Sequence, residues 1–192
     1  MDIPQGAERE YIAVYGIAAI YVARRPDGRA IVRCARDLAL ADRALRRRWP
    51  GAYIGHVYWA PSHQEARRIL RDVVEDRGSL TIIDRACKNI IKTADRLGIP
   101  LHDHTDVVVR AEEVVKFIDE KIALANRNGG MKWFNCAYKE WRVQAEAHGV
   151  SRSKTMFKVA LSYLRKRMYR NIIDGLDVND ADPRKIFPQF RH

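Results

Sequence analysis

The sequence predicts an α+β fold: a small three-stranded sheet with helices over residues 1–78, an all-α helical domain over 79–173, and a tail over 174–192. Three observations carry this. An apolar run rich in β-branched and aromatic residues over 12–23 meets a Pro26-Asp27-Gly28 turn and then Ala30-Ile31-Val32, the pattern of a β-hairpin. Ile83, Ala86, Ile90, Ala94 and Leu97, and later Ala111, Val114, Val115, Ile118, Ile122 and Ala125, recur at helical spacing. Eleven glycines and seven prolines in 192 residues are too few for a disordered or fibrous chain.

After the hairpin, Arg36 to Arg48 reads as a helix stopped before Pro50, with Leu38, Leu40 or Ala41, and Leu45 inward. Tyr53 to Trp59 alternates as a third strand. Ser62-His63-Gln64-Glu65 has the form of a capping box, in which serine and glutamate satisfy the free amides of a helix start. That helix should run to Asp76 and stop at Gly78. The helix over 83–97 ends at Gly98 and Pro100. Asn126-Arg127-Asn128-Gly129-Gly130 reads as a linker, followed by helices over 131–147 and 152–173 joined by His148-Gly149-Val150-Ser151.

No apolar run approaches the roughly 18 to 20 residues of a membrane span. Met1 to Glu10 is polar and acidic, unlike a signal peptide. Cys34, Cys87 and Cys136 have neither disulfide-framework nor zinc-site spacing, which suits a reducing cytosol. The expectation is a cytoplasmic, membrane-free protein.

Charge narrows the function. The net charge is +11, from 35 basic and 24 acidic side chains. Residues 1–80 hold 14 basic and 10 acidic, residues 81–130 eight of each, and residues 131–192 hold 13 and 6. Positive charge segregated to the two ends attracts polyanions, nucleic acid first among them. Arg43, Arg46, Arg47 and Arg48 crowd one helix and suit phosphate contacts that read no sequence.

Ala19-Ile20-Tyr21 and Ile31-Val32-Arg33, followed by Arg36-Asp37-Leu38 in hairpin, helix, strand, helix order, resemble the GIY-YIG nuclease superfamily over residues 12–77. The resemblance implies hydrolysis of phosphodiesters by two hairpin tyrosines, an arginine on the first helix, and a glutamate on the next that holds a divalent metal. Tyr21 fits the first tyrosine. The second tyrosine position holds Ile31, and the glycine after it is Arg33. The arginine position falls near Ala41, with Arg43 two residues on. The glutamate position falls near Ile69 or Leu70, with Glu65 and Asp72 flanking it. Tyr21, Arg43 and Glu65 are thus remnant candidates in a degenerate nuclease core. No cofactor is expected, and magnesium or manganese only if hydrolysis survives. A literal Tyr53-Ile54-Gly55 falls on the third strand, away from the hairpin, and reads as a chance match.

The C-terminal half carries a second basic constellation. Ala145, Gly149, Val150 and Ser151 have the spacing of the turn in a helix-turn-helix, here over 138–170, although Gln144, His148, Thr155 and Lys158 replace its usual apolar residues. A basic helical hairpin without that geometry is the other reading. Residues 131–172 hold ten basic and two acidic side chains. Arg152, Lys154, Lys158, Arg165, Lys166, Arg167 and Arg170 are the candidate phosphate contacts, and Phe157, Ala160, Leu161, Leu164 and Met168 the core side. Trp133, Phe134, Tyr138 and Trp141 read as core and rim. With Gly98 to His102, this region is similar to the C-terminal parts of alphaproteobacterial GIY-YIG-like proteins, which implies a bacterial source and a two-part architecture.

His102-Asp103-His104 and Asp106 could be drawn as a metal cluster, but Asp103 or Thr105 as a helix N-cap explains them better. Cys34 should be buried without a catalytic base nearby. The expected function is nucleic-acid binding, of double-stranded DNA, in a regulatory or architectural role. An active metal-dependent structure-specific endonuclease and a protein-interaction or assembly module, homo-oligomeric or with a partner, are the alternatives.

Overall fold

A computed structural model describes residues 1–75, 83–129, 132–149 and 156–176. The order is α1 (Gly6–Tyr15), β1 (Ala18–Arg24), β2 (Ala30–Ala35), α2 (Leu38–Arg48), β3 (Tyr53–Ala60), α3 (His63–Glu75), α4 (Ile83–Leu97), β4 (His102–Asp103), α5 (His104–Gly129), α6 (Lys132–Ala147) and α7 (Met156–Ile173). The class is α+β. The chain divides between Glu112 and Glu113, inside α5, into a sheet unit and a helical unit.

In the sheet unit the strands lie in the order β2-β1-β3-β4, all neighbours antiparallel. β1 is central, so its alternate side chains enter two cores. Ala18, Ile20 and Val22 join Ala66, Ile69 and Val73 of α3 and Ala86, Ile90 and Ala94 of α4 in one apolar cluster. Ala19, Tyr21 and Ala23 face the other way with Val57 and Trp59 and are equally buried. There α1 and α2 cover the sheet, around a shallow cleft lined by Arg9, Ile12, Leu38 and Trp59. Each fully buried isoleucine or valine side chain contributes about 1.5–3 kcal/mol.

Several expectations are corrected. Residues 12–15 are not strand: they finish α1, which Gly16 ends at φ +84, its N–H donating to the Ile12 carbonyl. Tyr11 and Ile12 are buried by tertiary packing, which overrides their β preference. The sheet has a fourth strand, since His102 and Asp103 pair with Trp59 and Tyr58. Within α2, Ala39 rather than Leu40 is buried, and Leu40 is 52% exposed. The domain division expected at 78/79 does not follow the packing, because α4 belongs to the sheet's core. Residues 126–129 are the last turn of α5 and not a linker. The expected helix stop at Asp76–Gly78 and the tail from 177 onward lie outside the described residues.

In the helical unit Ala137 and Ala145 of α6 and Ala160, Leu164 and Met168 of α7 are buried, and the two helices pack together. Phe157 was expected inside but is 55% exposed, with its ring 5.0 Å from that of buried Phe134. No helix among the described residues is long and apolar enough to cross a membrane.

Candidate nucleic-acid interface

The hairpin tip is built by its sequence. Pro26 presets a turn, and Gly28 takes φ +82, where a side chain would be strained. The Gly28 N–H donates to the Arg25 carbonyl, and the Arg25 N–H donates to Arg29, each at 2.9 Å. Because β3 starts opposite the end of β1, with Tyr53 paired to Arg24, the C-terminus of α2 arrives at this same end of the sheet. Trp49 fixes the junction: the Arg25 guanidinium carbon stands 5.2 Å from its ring centre and that of Arg48 4.7 Å. Arg25 also pairs with Asp27 at 2.9 Å.

One end of the sheet therefore gathers the arginines of two segments. Residues 24–29 and 43–49 carry seven arginines and one carboxylate, Asp27. Arg24, Arg29, Arg43, Arg46, Arg47 and Arg48 are exposed. Arg46 is tied to Asp42 one turn back at 2.9 Å, so part of its charge is neutralised. Some of this charge complements the negative end of α2, but three arginines in the last turn exceed the roughly half charge there. Residues 1–87 hold fifteen arginines and no lysine. The guanidinium fork matches phosphate oxygens two at a time, which an ammonium does not. Arg24, Arg25 and Arg29 were missed from sequence, although Arg24-Arg25 directly before Pro26 was the available signal.

The remnant nuclease residues are not assembled. Tyr21 is 4% exposed on the α2 side of the sheet. Burial pushes its phenol above the ordinary value against the pull of Arg33, with Cys34 and Asp42 adding to the rise. Glu65 lies on α3, the helix packed on the opposite face, and Ser62 donates to it at 2.9 Å as its own N–H donates back at 3.2 Å. The phenol is sealed in one core, and the carboxylate is held in a helix cap on the other side of the sheet. Arg43 is exposed on α2.

Cys34 lies within β2, half-buried, and meets a base after all: His63 Nε2 is 3.9 Å from its sulfur. Twenty-nine residues separate them, so nothing local announced the contact. Burial raises the thiol, with Arg67 and a backbone hydrogen bond pulling it back, while burial and then Arg36 and Arg67 lower His63. Both shifts favour neutral partners over a thiolate–imidazolium pair. No group of three metal-ligating side chains occurs among the described residues. The His102–His104 segment is instead strand and cap, with Asp103 accepting from the Thr105 N–H at 2.8 Å.

In the helical unit Lys158, Lys166 and Arg170 are exposed on α7, and Arg167 is half-buried. Arg165 departs from expectation: it makes a two-pronged ion pair with Asp119 of α5 at 2.9 and 3.1 Å, which removes it from a phosphate interface. Beneath this surface Glu140 is 6% exposed and accepts from the Tyr163 hydroxyl at 3.0 Å. Burial and then the Glu140 bond and charge push Tyr163 up to about 12, against Arg167 and Arg170. Arg152 and Lys154, with Val150 and Ser151 of the expected turn, lie outside the described residues. α6 ends at Ala147, and Gly149 just beyond it takes φ +63.

Compared with known protein families, curated proteins and solved structures, the chain matches none. Function therefore rests on the chain's own residues.

Proposed function

We propose that this protein binds double-stranded DNA through the arginine-rich end of its sheet unit and the basic side of α7. In this reading the sheet unit is a degenerate GIY-YIG-like domain that holds its partner without cleaving it. Its role is regulatory or architectural, in a bacterial cytoplasm or nucleoid. The observation that carries the reading is the convergence of the hairpin tip and the C-terminus of α2 at one end of the sheet, seven arginines against Asp27 and the Asp42 that pairs with Arg46. Such a surface meets phosphates without selecting bases, and binding releases condensed counterions. The order of hairpin, helix, strand and helix also supports the GIY-YIG-like scaffold, and the separation of Tyr21 from Glu65 supports binding over hydrolysis.

The test is fluorescence anisotropy of a labelled duplex titrated across salt. Affinity should fall steeply between low and physiological salt. Affinity indifferent to salt would sink the reading.

One observation favours a second function, assembly with another protein or another copy. Val143 on α6 is 61% exposed and Phe157 on α7 55%, both on the helical unit. Sedimentation of the protein alone decides it: a constant mass near 22.2 kDa speaks against self-assembly.

A further inference from the structure

Among the described residues, the α3 side of the sheet is only partly covered at its last row, where Ala30 packs against the core. Ala18, Ile20 and Val22 of β1 sit in that core, but the next residue on the same face, Arg24, is exposed. In this row Arg24 pairs with half-buried Ala30 on β2 and with Tyr53 on β3. The register between β1 and β3 shifts there: Ile54 faces Ala23 and His56 faces Val22, which leaves Gly55 as a bulge. A bulge re-aims the side chains beside it. The Tyr53 ring leans over Gly55, whose Cβ would stand 3.9 Å from the ring's Cε2. Tyr53 is 47% exposed, and His56 beside it is also exposed. An exposed aromatic ring lies in the last row of the sheet with a guanidinium as its strand neighbour, at the end where the hairpin tip and the C-terminus of α2 arrive.

Duplex backbone offers nothing for that ring, because paired bases are stacked on one another. An unpaired base does, since its flat face can stack on the ring while the adjoining phosphate meets the arginine. We propose that Tyr53, with Arg24 and His56, is a stacking site for an unpaired nucleobase, so that the protein prefers a duplex carrying a single-stranded tail to a blunt one. This rests on the nucleic-acid reading above, and the experiment separates the two.

Three DNAs are compared by anisotropy at one salt concentration: a blunt duplex, the same duplex with a short overhang, and that overhang without bases. The base-free tail has the same phosphates, so any difference from the natural tail belongs to the bases. The natural tail should bind tighter than the base-free tail by on the order of tenfold. Tyr53→Ala should abolish that difference and Tyr53→Phe should keep it, with blunt-duplex affinity unchanged in both. Circular dichroism confirms that each variant is folded. Equal binding of the two tails by the unmodified protein, or a preference that survives Tyr53→Ala, overturns the stacking site and leaves duplex binding intact. Failure to bind any of the three overturns both readings.

Discussion

Ser62 and Glu65 hold each other: the serine hydroxyl donates to the carboxylate at 2.9 Å, and the glutamate N–H returns a bond to that hydroxyl at 3.2 Å. Glu65, one of the two carboxylates that flank the nuclease metal position, therefore serves to start α3. Glu65→Gln keeps the form of a capping box, so it should lower stability by less than the roughly 1 kcal/mol typical of a lost cap. With magnesium or manganese present, duplex DNA should stay intact on a denaturing gel. Cleavage that disappears in Glu65→Gln would reverse the non-catalytic reading.

The exposed and the paired arginines should separate in a salt titration. Arg43 and Arg47 are exposed, so each replacement by alanine should reduce the slope of log affinity against log salt by about 0.9. Arg165 is committed to Asp119. Arg165→Ala should leave that slope unchanged and lower the stability of the helical unit by up to about 1 kcal/mol, read from urea midpoints. Lys166→Ala and Arg170→Ala should reduce that slope and leave the urea midpoint unchanged.

Acid should loosen the contact between α1 and α2. Burial alone would raise the Asp37 carboxyl, but the hydrogen bonds from Arg9 and from the Leu40 N–H, with the Arg9 charge, hold it below its ordinary value. The folded state thus binds this proton less readily than the unfolded chain does. The stabilisation is present above the unfolded value of about 3.9 and is lost as pH falls through the lower folded value. Urea midpoints at pH 7, 4 and 2.5 should drop more for the unmodified protein than for Asp37→Asn across the acid interval.

Tyr163 should resist alkali while the helical unit is folded, because its phenol is pushed up to about 12. Tyr163→Phe removes the hydroxyl that donates to Glu140 and leaves a buried carboxylate short of a partner. The expected cost is about 1–3 kcal/mol. Loss of duplex affinity without loss of stability would instead place Tyr163 in the interface.

The amino-acid pattern alone was enough to define the hairpin turn, β3, the Ser62 cap, the helix over 83–97 and the exposure of the α2 arginines. Each depends on spacing or on chemistry within a few residues. Pro26-Asp27-Gly28 closes a turn by its own dihedrals, and Ser62 reaches Glu65 within one helical turn. Tertiary structure decided what local chemistry leaves open. Ile12-Ala13-Val14-Tyr15 has strand composition, yet it is helical because Tyr11 and Ile12 find a core and Gly16 can end the helix. α4 shows an apolar stripe in its sequence, but only packing against β1 and α3 assigns it to the sheet. Arg165 looked like its basic neighbours until Asp119, 46 residues away, was found opposite it. Tyr53 looked like an ordinary strand residue, and only the tertiary structure shows its ring 47% exposed beside Arg24. Periodicity records that a residue has an apolar or charged side, while the element that meets it is chosen by contacts distant in the chain.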